Sequence, residues 1–254
     1  NAAKISSIEC DITKPKEIQR IFKFYKPKYV FNCAAYHNTH ECELNPHLSF
    51  LINSTSLKYI SDNCNIHNSK LIHFSSDYVF NGRTSKKYTE NAKTDPINIY
   101  GISKLAGEQI VKYYSKKYLI IRISSVYSQK TCRAKKDGNF VDKIIFNSKK
   151  RNISVSNQKI TPSNCEEIAD QVIHIYKKIN KKLIHISPPD STTWYQFARH
   201  INRVLGLNAK IIKKIEKVEL LNRPNNSALK PEFLIKNRLF VMSKWKQAFK
   251  KYAS

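Results

Sequence analysis

Between Tyr29 and Ile123 short apolar runs alternate with amphipathic helical stretches, and this alternation restricts the chain to a parallel sheet wound by helices. Tyr29 to Cys33 reads as one strand, Leu71 to Phe74 as a second and Tyr118 to Ile123 as a third. Parallel neighbours need a crossover connection, and the intervening stretches supply it. Pro46 to about Cys64 is predicted helical with Leu48, Leu51, Ile52 and Ile60 inward, and a second helix carries Tyr100 and Lys104. Upstream, Ile5 to Glu9 is a candidate strand. It precedes a helix that Thr13 can cap, with Pro15 in its first turn, Ile18, Ile21, Phe22 and Tyr25 on one apolar face, and Pro27 closing it. The expected fold class is α/β, a doubly wound, Rossmann-like parallel sheet whose ligands sit at the C-terminal ends of the strands.

After Tyr127 the rhythm loosens. Helices are predicted near Phe140 to Ser148, over Glu166 to Ile179 and over Trp194 to Leu205, with strands at Ile153 to Val155 and Leu183 to Ile186. A basic amphipathic helix with Trp245 and Phe249 inward closes the chain, and Trp194 and Tyr195 are expected to anchor this half's core. Two units result: residues 1–128 as a nucleotide-binding domain and residues 129–254 as a smaller α/β substrate lobe with room to return a strand to the main sheet.

The net charge is +26, carried by 45 Lys and Arg against 19 Asp and Glu. Lysine dominates, and no zinc finger, RNA-binding aromatic signature or long basic tail accompanies it. The charge therefore reads as lysines spread over every solvated face, with no nucleic-acid partner and a field that attracts an anionic cofactor or a nucleotide-linked substrate. No apolar run reaches 18 residues, so a soluble, cytoplasmic chain without a membrane partner is expected. Six scattered cysteines without a C-x-x-C pair suggest reduced, mostly buried thiols.

The chemistry concentrates between Leu71 and Glu108. An apolar strand ends in Ser75-Ser76-Asp77-Tyr78, and the helix beyond Pro96 places Tyr100 one turn before Lys104. An ammonium beside a phenol favours the phenolate and should lower its pKa. Such a tyrosine can protonate an alkoxide formed by hydride attack on a carbonyl, while a strand-end serine holds the carbonyl oxygen. Spacing alone is weak, since Tyr113 and Lys117 repeat it at a lysine-rich helix end. Ala106 and Gly107 add the small residues that close packing needs. His37-x-x-His40-x-Cys42 with Glu43 has ligand-like spacing, but without a second ligand pair it reads as a solvated or substrate-facing loop and no metal is expected. None of the five glycines lies in a strand–turn–helix phosphate loop, and the chain opens on Asn1. The expectation is an incomplete N-terminus lacking the first strand, glycine-rich loop and first helix; loss of cofactor binding is the alternative.

FSSDYVFNG followed by YTENAKTDPINIYGISKLAGE resembles the extended short-chain dehydrogenase/reductases, in particular the dTDP-4-dehydrorhamnose reductase group. NCAAY, GNF, NQ-x-x-x-P, T-W-Y-x-F-A and RP-x-NSAL extend the resemblance over most of the chain. It implies reduction of the 4-keto group of a nucleotide-linked deoxysugar by NADPH or NADH. The set it implies is Ser76, Tyr100 and Lys104 for catalysis, with Tyr100 the proton donor and Lys104 also on the nicotinamide ribose. Asp11, Ile12, Ala34, Ala35, Tyr36, Asn53 and Ser75 would join them on the cofactor. Asp77, Tyr78, Ser125, Asn139, Arg223 and Asn226 would face the sugar nucleotide, Ser125 standing where these reductases often carry a sugar-packing Trp. A related epimerase or dehydratase, or a non-catalytic subunit on the same fold, stays open, and a homodimer is compatible with the resemblance.

Overall fold

The computed structural model describes residues 7–129, 138–149, 152–214 and 222–254. Helix α1 (Pro15–Tyr25) leads into strand β1 (Tyr29–Asn32). Helices α2 (Thr39–Leu44), α3 (Pro46–Phe50) and α4 (Ser56–Ile66) follow, the last two joined by a π-helical turn at Leu51–Thr55. Then come β2 (Lys70–Ser76), a 3-10 turn at Asp77–Val79, α5 (Ile99–Tyr114), β3 (Tyr118–Ile123) and β4 (Val126–Tyr127). The second half contains α6 (Phe140–Asn147), β5 (Asn152–Val155), β6 (Lys159–Ile160), β7 (Ser163–Asn164) and α7 (Cys165–Ile175). It continues with β8 (Leu183–His185), β9 (Thr192–Thr193), α8 (Trp194–Val204), β10 (Lys210–Lys213), α9 (Glu232–Lys236) and α10 (Trp245–Ala253).

The main sheet is parallel, in the order β1-β2-β3-β8. Its central strands are apolar on both faces because helices cover both. Leu71 and Ile120 point into a cluster with Ile18, Phe22, Leu57, Ile60 and Val111 from α1, α4 and α5. Their neighbours Ile72 and Ile121 point the other way, toward Ile168, Val172 and Ile175 of α7 and Leu234 of α9. A separate core gathers α6, α8, α10, β5 and β10 around Phe197, with Trp245 and Phe249 buried in it and Trp194 packed against it.

Several expectations change. Ser7 to Glu9 is not a strand, and Ile5 and Ser6 lie outside the described residues. Lys14 rather than Thr13 precedes the first helical residue, without a side-chain cap; the Thr13 hydroxyl instead donates to Asp11 Oδ1 at 2.8 Å. Tyr25 and Leu48 turn outward. Of the described cysteines all are free, but only Cys42 and Cys64 are buried; Cys33 and Cys165 are exposed, and Cys132 is outside the described residues.

Two bare backbones let α5 reach the sheet's C-terminal end. A Cβ on Gly101 would stand 2.2 Å from the Tyr78 carbonyl oxygen, and one on Gly107 2.2 Å from that of Asn53. No real Cβ tolerates either distance, so the approach of this helix depends on glycine.

Candidate active site

Strand β2 ends in two serines whose side chains separate. Ser75 donates to Glu108 Oε1 of α5 at 2.7 Å, and Glu108 in turn holds Arg122 of β3 through two 2.7 Å bonds. Ser76 donates to Asp77 Oδ1 at 3.0 Å and accepts the Tyr78 N–H at 3.2 Å. The second Asp77 oxygen accepts Ser124 Oγ at 2.8 Å. Burial pushes the Asp77 carboxyl up to about 6, with hydrogen bonds from Ser227, Ser124 and Ser76 opposing the rise. Among the described residues no cation offsets it.

Tyr100, on the first turn of α5, sits edge-on to Tyr78 with ring centroids 5.7 Å apart. Burial raises its phenol pKa; hydrogen bonding to Ser76 works against this, while Asp77, Cys42 and Tyr78 add to it. The expected lowering by Lys104 is therefore reversed. Desolvation sets the direction, and Lys104 Nζ is turned to the Phe74 carbonyl, to which it donates at 2.6 Å. Burial brings Lys104 down to about 8, with Glu108 and Cys33 holding it up. At neutral pH the phenol carries its proton beside a serine hydroxyl, which is the state a proton donor starts from, although burial makes it a weaker acid.

The helix start is fixed from three sides. Asn98 Oδ1 accepts the Gly101 N–H at 2.8 Å and Asn98 Nδ2 donates to Asn222 O at 2.9 Å. Glu43 Oε1 accepts the Ile99 N–H at 2.8 Å. Glu43 thus leaves the ligand-like cluster, as does Cys42, whose thiol donates to Tyr36 O. Among the described residues no three His, Cys, Asp or Glu side chains converge as a metal-holding group.

The wall after β1 is tied to the same helix. The Asn53 amide accepts Tyr36 N–H and donates to Tyr36 O, both at 2.9 Å, and also donates to Ser103 Oγ at 3.0 Å. Ser103 donates onward to the Tyr100 carbonyl at 2.8 Å. Ala34 N–H reaches Asn32 Oδ1 at 3.3 Å, and Asn32 Nδ2 lies 3.2 Å from His73 Nδ1. Burial and the nearby Lys104 push His73 well below the usual histidine range, so a neutral ring accepts here.

Ser76, Asp77, Tyr78 and Tyr100 therefore come together. Ser125 joins them through Ser124, 3.2 Å between hydroxyls, in a left-handed backbone at φ 48°. Arg223 is exposed, and its charge pulls against the burial that lifts Tyr78 to about 12. Other candidates are engaged elsewhere. Ser75 serves Glu108. Asn139 caps α6, accepting Val141 N–H at 2.8 Å and donating to Ser128 O at 2.7 Å. Asn226 donates to Thr84 O and Lys86 O, each at 2.7 Å, which pins that loop. Asp11 lines an open cavity of about 520 Å³ with Glu9, Lys14, Lys16, Glu17 and Arg20, its carboxylate accepting Thr13 N–H at 2.9 Å, and Ile12 packs against the cluster around Ile18. Ser124, Ser227 and Ser103 were not anticipated, and Glu43 was singled out only for a metal-like spacing; Ser124 and Ser227 each stand beside a candidate, Ser125 and Asn226.

The family model for the RmlD substrate binding domain matches residues 1–254. The chain is 30% identical over 256 residues to the dTDP-4-dehydrorhamnose reductase of Escherichia coli K12, covering 95% of this chain and 84% of that protein. A solved dTDP-4-dehydrorhamnose reductase from Clostridium acetobutylicum matches with a TM-score of 0.89 at 28% identity, over 95% of this chain and 85% of that one. The enzyme of Bacillus anthracis, solved in complex with NADP, gives 0.88 at 28% identity over the same shares. A UDP-glucose 4-epimerase from Thermotoga maritima, 17% identical, shares the fold with a TM-score of 0.83 over 97% of this chain and 82% of that one.

Proposed function

Because the chain belongs to the RmlD substrate binding domain family, we propose that it reduces the 4-keto group of a nucleotide-linked deoxysugar. The substrate is dTDP-4-dehydro-L-rhamnose and the product dTDP-L-rhamnose, for cell-surface polysaccharide. The observation that carries this reading is the meeting of Tyr100, at the start of α5, with Ser76, Asp77 and Tyr78 at the end of β2. Residues 1–128 serve the cofactor side and residues 129–254 chiefly the sugar nucleotide, in the cytoplasm.

NADPH or NADH supplies the hydride when bound. The residues suit its nicotinamide end: Lys104 offers a buried amine beside the strand ends, and Ala34 and Ala35 leave the wall after β1 without bulk. Tyr100 donates the proton to O4 of the sugar, and Ser76 holds that oxygen while negative charge develops on it. Lys104 steadies the ribose and places a cation near the phenolate that remains. Asp77 and Tyr78 orient the sugar, and Arg223 meets the diphosphate at the exposed edge. Tyr100→Phe should lower turnover by on the order of a hundredfold or more, read as NADPH oxidation with the dTDP-4-keto sugar. Wild-type turnover in a folded variant would refute the reading. Turnover of the sugar without net NADPH consumption would move the chain to the epimerases.

A further inference from the structure

The end of the main sheet opposite the candidate site carries a different chemistry. Backbone bonds place the residues before each strand side by side: Lys70 N–H donates to Lys28 O at 3.0 Å, Leu71 N–H to Lys117 O at 2.9 Å, and Ile120 N–H to Lys182 O at 2.9 Å. Neighbouring strands lie about 4.8 Å apart, so one lysine follows another across the whole edge. Lys26, Lys28, Lys116, Lys117, Lys181 and Lys182 are all exposed there. The connecting segments 26–28, 67–69, 115–117 and 176–182 contain no Asp or Glu. The charge is therefore gathered on one edge as well as spread over the surface.

Lysines near helix C-termini have a plain role, which is to offset the partial negative charge of the last carbonyls. Lys70 fills it, donating to Tyr176 O at 3.0 Å and Ile179 O at 3.2 Å. That role does not account for what stands between the other lysines. The last turns of α1, α4 and α5 end at this same edge and present Phe24 at 77% exposure, Ile66 at 73% and Tyr113 at 83%, with Tyr25 at 48%. Exposed aromatic and aliphatic tips set among cations match the boundary of an anionic bilayer, where lysines meet headgroups and apolar tips enter the acyl region. A single-stranded nucleic acid would use the lysines and stack bases on Phe24 and Tyr113, but it would leave the aliphatic Ile66 in water.

We infer that this lysine-rich edge is a docking surface for an anionic lipid bilayer. The chain lies on the bilayer, since among the described residues no helix is long and apolar enough to cross a membrane. Docking by this edge turns the C-terminal strand ends, and with them Tyr100, toward the aqueous side. The inference does not depend on the catalytic reading.

The test is co-sedimentation of the full chain with phosphatidylglycerol/phosphatidylcholine vesicles and with pure phosphatidylcholine, at low and high salt. Binding to the anionic vesicles alone, weakened by salt, is expected. Each lysine near such a surface is worth about a fivefold change in affinity, so the combined variant Lys28→Glu, Lys116→Glu and Lys182→Glu should bind at least about a hundredfold more weakly. Its reductase turnover and far-UV circular dichroism should stay at wild-type values. A matched variant, Lys143→Glu, Lys210→Glu and Lys250→Glu, changes net charge equally on the other lobe and should bind within about threefold of wild type. Phe24→Ser with Tyr113→Ser should remove the part of binding that survives high salt. Absent vesicle binding, equal loss in both triple variants, or tighter binding to single-stranded RNA than to vesicles with the same edge dependence would each overturn the inference.

Discussion

Two buried carboxylates, both within one residue of the serine pair or bonded to it, are treated in opposite ways. Glu108 lies behind Ser75 and is gripped by the Arg122 guanidinium in a two-bond pair, with Lys112 3.9 Å away. Asp77 lies behind Ser76 and is held by the hydroxyls of Ser76, Ser124 and Ser227 and by its own backbone N–H. A fixed cation makes the first a permanent junction between α5 and β3. Hydroxyls can orient the second but cannot neutralise it, so its protonation stays close to physiological pH. The contrast separates a group that fastens the helix from a group whose charge changes with pH.

Breaking the first member should have the larger effect. Glu108→Gln leaves Arg122 buried without its counter-charge and should destabilise by about 3–5 kcal/mol in urea unfolding. Replacing both partners by apolar residues of similar volume should restore much of that loss. The second member should show itself through pH. Its folded pKa, about 6, stands above the ordinary 3.8, so the folded state binds the proton more tightly than the unfolded one. Its contribution is full below about pH 4 and declines as pH rises through 6. Asp77→Asn has no such decline, so its stability relative to wild type should rise by about 3 kcal/mol between acid and neutral pH, measured as paired unfolding curves. Ser124→Ala is the mildest change. Removing one hydroxyl from the carboxylate should shift its titration up by about one unit, about 1.4 kcal/mol, seen by NMR of the Asp77 carboxyl. If Asp77→Asn destabilised as strongly as Glu108→Gln at every pH, the two carboxylates would not differ in kind.

Local pattern carried much of this structure. The strand at Tyr118–Ile123 and the helices bearing Tyr100 and Trp245 follow from periodicity within their own residues. Leu48 did not, because the π turn at Leu51–Thr55 changes the helical phase between it and Ile60, and a 3.6-residue repeat cannot register that shift. In the site, Ser76 and Tyr100 were legible because strand end and helix start bracket them. Ser227 was not, since it reaches Asp77 from 150 positions away in the chain. The direction of the Tyr100 shift was missed for a related reason. Spacing along a helix reports the distance to Lys104 and says nothing about how much water the fold removes.

Strand β8 carries a consequence for inheritance. It comes from the second half of the chain yet pairs with β3 across Ile120–Leu183, Ile121–Ile184 and Arg122–His185. The two halves therefore cannot be exchanged as modules at residue 128: a chimera made there would swap the outer strand together with the lobe. Recombination that replaces the lobe around Phe197 has to cut twice, sparing Leu183–His185 and the α7 face that covers the sheet. Variation in that lobe should then accumulate as point changes more readily than as whole-lobe replacements.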